Sequence, residues 1–220
     1  MDALNSEQAR FNMIEQQIRP WDVLDDRVLE TLAAMPREDF VPERYRALAF
    51  SDISIPLEHE QVMMPPRLEG RLLQSLFIQP DDEILEIGTG SGYLTACLAR
   101  LGGRVRSVDL YQDFIDGAAE KVQHHGLGAI EFECADAASG YPGEAVFDAI
   151  AVTGSLPLLH QGFHRALKVG GRLFVIVGQP PVMQALLITR TGEQEWIEES
   201  LFETSLPALV NAPQPEPFHF

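Results

Sequence analysis

At 220 residues with 45% hydrophobic side chains, the chain is long enough to bury a full core, and its length fits one domain with an extension better than two independent domains. Asp and Glu number 33 against 16 Lys and Arg, a formal charge of -17 that repels phosphate backbones and anionic lipid surfaces and argues against nucleic-acid or membrane partners. No basic amino-terminal region precedes an apolar run, and no apolar stretch reaches the roughly 18 residues a spanning helix needs, so a cytoplasmic protein is expected. Cys97 and Cys134 both sit in apolar segments. Two cysteines build neither a disulfide framework nor a Cys-based zinc site, and both are expected as buried thiols.

Along the chain, Asn5-Ser6 can cap a first helix with Phe11, Ile14 and Ile18 on one face, ending before Pro20. A second helix starts at Asp25 or Asp26, carries Val28, Leu29 and Leu32, and stops at Pro36, so residues 1–48 read as helical. Residues 49–66 lose periodicity and gain prolines, the pattern of a long surface loop. Leu68, Leu72, Leu73 and Leu76 mark another helix, stopped near Pro80. Beyond it, strands over 83–87, 104–108, 130–134, 147–153 and 172–178 alternate with helices over 92–101, 111–125 and 157–167. That alternation predicts an α/β fold with a parallel sheet covered by helices. Runs at 184–190 and 195–202, separated by a turn at Thr191-Gly192, predict an antiparallel edge hairpin, and the tail over 212–218 reads as irregular. Residues 1–80 are thus expected as a helical extension with its loop, and 81–220 as the sheet domain, together one structural unit.

The stretch Glu86-Ile87-Gly88-Thr89-Gly90-Ser91-Gly92-Tyr93 falls where the first of these strands turns into a helix, the edge at which open α/β sheets bind ligands. Glycine lets the backbone turn tightly and approach a ligand without a Cβ in the way. Asp109 follows at the end of the next strand, 21 positions after Gly88, where a carboxylate can accept both hydroxyls of a ribose; a solvated loop carboxylate is the competing reading. Asp136 follows the third strand and can accept from an adenine amino group. Two roles suit Glu86: contact with a cationic cofactor end, or hydrogen bonding to loop amides behind it. A dinucleotide fingerprint reads G-x-G-x-x-G and faces a pyrophosphate. Here the spacing is G-x-G-x-G, position 93 is Tyr, and a carboxylate adjoins the site. S-adenosylmethionine, cationic and free of phosphate, fits better.

The run Ile84-Leu85-Glu86-Ile87-Gly88-Thr89-Gly90-Ser91-Gly92-Tyr93 resembles the first motif of the protein-L-isoaspartate O-methyltransferase family. Met35-Pro36-Arg37-Glu38-Asp39-Phe40-Val41-Pro42, Phe147 to Thr153, Leu167 to Leu173, Val177-Gly178 and Phe202 to Leu209 resemble it too, so the likeness spans residues 8 to 210. It implies a Rossmann-like class I methyltransferase: a mostly parallel seven-stranded sheet with an antiparallel edge hairpin and an N-terminal helical extension. The implied cofactor is S-adenosylmethionine, with S-adenosylhomocysteine as product. Its implied site is Glu86, Gly88, Thr89, Gly90, Ser91, Gly92 and Tyr93, then Asp109 and Leu110, Asp136 and Ala137, and Thr153. The implied acceptor is an isoaspartyl carboxylate in a damaged peptide or protein, as befits a repair enzyme. Such a transfer needs orientation of the acceptor more than a side-chain nucleophile.

One segment departs from the resemblance. Where the family writes a stretch like Pro-x-Gly-x-Gly-Gln-Thr-Ile-Ser-x-Pro, this chain reads Pro56-Leu57-Glu58-His59-Glu60-Gln61-Val62-Met63-Met64-Pro65-Pro66. Both glycines become glutamates, and the Thr and Ser that hold the acceptor become Val62 and Met64. Two hydroxyls are lost and two anions arrive where an anionic substrate group is expected, both unfavourable to it. The substrate-end candidates are therefore His59, Gln61, Val62, Met63 and Met64, with His59 read either as an acid/base group or as an ion-paired surface residue. His160 and His164 share a predicted helix at i and i+4, but no adjacent Glu completes a metal motif, and no metal is expected. Three functions fit: isoaspartyl O-methylation, methylation of a different acceptor, and cofactor binding without turnover in an interaction protein.

Overall fold

A computed structural model describes residues 3–128, 130–142 and 146–216; residues 1–2 of the expected helical stretch and Pro217-Phe218 of the expected irregular tail lie outside it. The chain opens with α1 (Ala3–Met13), which continues through a π-helical turn over Ile14–Ile18 and a 3-10 turn over Arg19–Trp21. The helix thus begins ahead of Asn5-Ser6, which do not cap it. The wider π turn also changes which face is buried. Met13, Ile14 and Ile18 are buried, whereas Phe11, expected beside them, is 58% exposed. The second helix, α2 (Asp26–Ala34), is capped by Asp25, whose side chain accepts from the Arg27 N–H. Inside the expected long loop lies a small hairpin, β1 (Ile55–Pro56) with β2 (Val62–Met63), followed by α3 (Pro66–Leu76).

The sheet domain follows as β3 (Glu83–Ile87), α4 (Tyr93–Leu101), β4 (Arg104–Asp109), α5 (Gln112–His124), β5 (Ile130–Cys134), β6 (Phe147–Leu156), β7 (Leu167–Gln179), β8 (Val182–Gly192) and β9 (Glu195–Thr204). Their order across the seven-stranded sheet is β5-β4-β3-β6-β7-β8-β9, parallel from β5 to β7 and antiparallel at the last two pairings. The chain runs outward from β3 in both directions, so the carboxyl edge of β3 lies at the switch point where such sheets bind ligands. Covered on both faces, β3 buries Ile84, Leu85, Glu86 and Ile87. The edge hairpin is as expected, and Glu198, Glu199 and Glu203 on β9 leave an exposed, charged margin that discourages strand addition.

Two apolar clusters flank the sheet. One joins the extension to it, placing Ile18, Leu32 and Leu72 with Ile84, Val105 and Phe174; the other gathers Leu85, Val108, Ile150, Phe163 and Leu173. The helix expected over 157–167 is absent: after β6 the chain turns irregularly and makes only a 3-10 turn at His164–Ala166. Close backbone packing explains this, because a Cβ at Gly162 would lie 2.8 Å from the Gly140 Cα, and Phe163 is drawn into the second cluster. Lys168-Val169-Gly170-Gly171, between the expected helix and the expected strand, is a bulge within β7, where pairing jumps from Phe147↔Leu167 to Ala149↔Arg172. Cys97 is buried as expected, but Cys134 is exposed, since β5 is the sheet's outer strand with one side unpaired. Among the described residues no helix is long and apolar enough to cross a membrane.

Candidate functional site

The turn after β3 is made by glycines in left-handed backbone: Gly88 at φ 97°, Gly90 at φ 50° and Gly92 at φ 83°. Side chains are excluded as well, because a Cβ at Gly88 would collide with the Thr153 hydroxyl and one at Gly92 would lie 2.7 Å from the Ala118 Cβ. This turn folds back on Asp109 at the end of β4. The Asp109 Oδ2 accepts the Gly90 N–H at 2.9 Å and its Oδ1 accepts the Tyr111 N–H at 3.0 Å. Asp109 is thus no solvated loop carboxylate: it is 8% exposed and fixed in direction, with lone pairs left to accept further hydrogen bonds. Burial raises its carboxyl above the ordinary value, against the pull of the Gly90 and Tyr111 amides.

Asp136, after β5, accepts the Ala138 N–H at 3.1 Å and the Asn211 side-chain amide at 2.8 Å. Thr153 lies on β6 with its hydroxyl 2.9 Å from the Ile87 carbonyl and 2.7 Å from that of Gly88, joining two neighbouring strand ends. Glu86 resolves differently. Its Oε2 accepts hydroxyls of Thr95 and Ser107, each at 2.5 Å, and the residue is 0% exposed. Burial pushes its carboxyl up to about 8 despite those two bonds, so at neutral pH it is an uncharged brace behind the turn.

Above this edge lies the β1–β2 hairpin. His59 and Glu60 form its tip, both at positive φ (56° and 58°), and the Gln61 N–H closes the turn on the Glu58 carbonyl at 3.1 Å. The His59 ring stacks on Tyr111 at 3.9 Å and 4°, and its Nε2 lies 2.9 Å from an Asp113 carboxylate oxygen. The hairpin is thereby pinned over the start of α5. His59 is a latch between loop and helix, with its Nε2 in hydrogen-bond contact with the Asp113 carboxylate at the surface. Glu58 pairs with Arg44 at 3.0 Å, both side chains largely exposed, and Glu60 is exposed. Neither glutamate lines the cleft, so the expected repulsion of an anionic substrate group by these two is not built into the site.

Beneath the hairpin, Arg37 is 0% exposed and pairs with Glu69 of α3. It also donates through Nε to the Ala49 carbonyl at 2.9 Å and through Nη2 to the Met64 carbonyl at 2.7 Å, and its guanidinium lies 4.8 Å from the Tyr93 ring centre. Burial works against the Arg37 charge, but Glu69 outweighs it and the guanidinium is held above its ordinary value. Glu69 is itself raised by burial, with Arg37 opposing the rise. A guanidinium in direct contact favours the charged form of Glu69.

These elements line a cleft that is partly open to solvent. Of the expected residues it brings together Gly88, Thr89, Gly90, Ser91, Asp109, Leu110, Asp136, Ala137 and Thr153 with Gln61, Val62, Met63 and Met64. Glu86, Gly92, Tyr93 and His59 stand behind or beside it. Asp109, Asp136 and Glu69 are the charged side chains of its wall, and no Lys, Arg or His is among the described lining residues. Such a wall suits a cationic, phosphate-free ligand and opposes a pyrophosphate. His160 and His164 do not share a helix: His160 contacts the Ala138 carbonyl at 3.0 Å and His164 packs on Trp196. Among the described residues no group of three or more His, Cys, Asp or Glu could hold a metal.

Sequence reasoning passed over Glu69, Leu57, Tyr111, Phe114 and the Leu206-Pro207 segment, all of which line the cleft. A signal existed for Glu69, which stands three, four and seven positions before Leu72, Leu73 and Leu76 and so occupies the buried stripe of its helix.

A parallel α/β sheet with an antiparallel edge, a glycine turn at the end of its central strand and carboxylates at the two following strand ends define a class I methyltransferase of the Rossmann-like kind. More particularly, the chain belongs to the Protein-L-isoaspartate(D-aspartate) O-methyltransferase family, whose family model matches residues 8–211. A protein-L-isoaspartate O-methyltransferase of Rhodopseudomonas palustris is 37% identical over 209 residues, covering 93% of this chain and 96% of the relative. One from Methanoculleus marisnigri is 38% identical over 199 residues, covering 90% of each. In fold, the chain matches a Plasmodium falciparum structure described as such a methyltransferase in complex with S-adenosyl-L-homocysteine. The TM-score is 0.76 at 19% identity, over 93% of this chain and 97% of that one.

Proposed function

We propose that this protein transfers a methyl group from S-adenosylmethionine to the carboxylate of an isoaspartyl residue in a peptide or protein. The single observation that carries the cofactor half is Asp109, buried and aimed by two backbone amides at the cleft beside the glycine turn. Family membership supports the acceptor half. When bound, S-adenosylmethionine supplies an electrophilic methyl on a sulfonium, and a carboxylate acceptor needs no deprotonation to take it. The chain's task is then positional. Asp109 would hold the ribose, Asp136 the adenine edge, and the hairpin the acceptor, with Met63 and Met64 excluding water from the reacting centre.

Calorimetric titration should show binding of S-adenosylhomocysteine and none of NAD, and radiolabelled methyl groups should pass to an isoaspartyl peptide but not to its aspartyl isomer. Preferential NAD binding would refute the cofactor, and label transfer to both peptides alike would refute the acceptor. Asp109→Ala should weaken S-adenosylhomocysteine binding by about 1 to 3 kcal/mol, since charge-assisted hydrogen bonds of a buried carboxylate are lost. Unchanged affinity in that variant would remove Asp109 from the site.

A further inference from the structure

Two of the three carboxylates in the cleft wall are accounted for by ribose and adenine, and Glu69 is not. It is 2% exposed yet reaches the wall of the cleft. Of its two oxygens only Oε2 has a hydrogen-bond partner among the described residues, namely Arg37. The other oxygen is left free to accept from a donor in the cleft.

Its place along the cleft says which end of a ligand it meets. Asp136, Asp109 and Gly88 follow the successive strands β5, β4 and β3, which orders adenine, ribose and then the amino-acid tail of the cofactor. Glu69 shares the wall with Ser91 and Leu94, on the far side of the glycine turn from Asp136, and with Met64 of the hairpin. Beyond the sulfonium that joins it to the ribose, that tail carries one cation, the α-ammonium. Glu86 cannot meet it, being sealed behind Thr95 and Ser107, and its burial keeps it uncharged.

Building on the reading of this cleft as a methyl-donor site, we propose that Glu69 is the anionic partner of the α-ammonium group of S-adenosylmethionine, held in place by Arg37. The guanidinium fixes one oxygen and leaves the other for the ligand. Arg37 also grips the Met64 carbonyl, so the pair that receives the ammonium is tied to the hairpin that receives the acceptor.

The test is a cycle of two ligands and two proteins: S-adenosylhomocysteine and its analogue lacking the α-amino group, titrated into the unmodified chain and into Glu69→Gln, which keeps the side-chain volume and a bond to Arg37. In the unmodified chain, removing the amino group should weaken binding by about tenfold or more, the scale of a charge-assisted contact. In Glu69→Gln the two ligands should bind within about twofold of each other. An equal loss in both proteins, or equal binding of both ligands by the unmodified chain, overturns the assignment of Glu69. Should Glu69→Gln fail to fold, the double change Arg37→Met with Glu69→Met removes both buried charges together and serves in its place. If S-adenosylhomocysteine itself does not bind the unmodified chain, the methyl-donor reading fails rather than this one.

Discussion

Replacing Val62 with Thr and Met64 with Ser should raise turnover of an isoaspartyl peptide by as much as about a hundredfold while leaving the affinity for S-adenosylhomocysteine within a few-fold, because a small misplacement of an acceptor costs on that order in rate. Both side chains line the cleft, and Met64 is 4% exposed, so they meet whatever enters from the hairpin side. An isoaspartyl carboxylate there finds neither the hydroxyls that the family pattern implies nor a Lys, Arg or His in the described wall. Unmatched polar groups on the acceptor weaken its binding and loosen its aim. The same observation favours a second reading, a less anionic acceptor, and the double variant separates the two. The structure also revises which further changes matter. Glu60→Gly relaxes a left-handed turn position, a gain of about 1 kcal/mol, and Glu58→Gly removes only an exposed pair with Arg44. Steady-state kinetics of the unmodified chain that match a family member carrying Thr and Ser at these positions would sink this account of the hairpin.

The largest loss of stability should come from Arg37→Ala, about 3 to 5 kcal/mol, because it leaves the Glu69 carboxylate buried without its partner. The side chain also joins three elements: its bonds to the Ala49 and Met64 carbonyls tie the ends of the hairpin segment to α3. Urea denaturation followed by circular dichroism measures the effect. Arg37→Met with Glu69→Met should recover most of the loss, since replacing both members of a buried pair with apolar groups is far cheaper than removing one. A cost below about 1 kcal/mol for Arg37→Ala would mean that water or rearrangement satisfies Glu69 and that the pair does not hold the hairpin.

Much of this protein follows from local sequence. The strand at Glu83–Ile87 and that at Ile130–Cys134 have the predicted bounds, because each is a short run of apolar and charged residues entered just after a Pro- or Gly-containing turn. The glycine turn and the carboxylates at 109 and 136 were legible for a related reason: a ligand edge in such a sheet recurs at each strand's carboxyl end, so spacing alone locates it. Tertiary packing decided the rest. The segment at 157–166 has a helical pattern but gives it up to bring Gly162 against Gly140 and Phe163 into the core, contacts between residues distant in sequence. Glu86 reads as a site residue by position, and only its burial behind Thr95 of a helix and Ser107 of a neighbouring strand turns it into a neutral brace. Conversely, Glu69 and Arg37 stand 32 positions apart in segments that look like ordinary helix and loop. Nothing local marks them as partners, because what makes each functional is the low-dielectric space they share, and that space exists only once the extension has packed against the sheet.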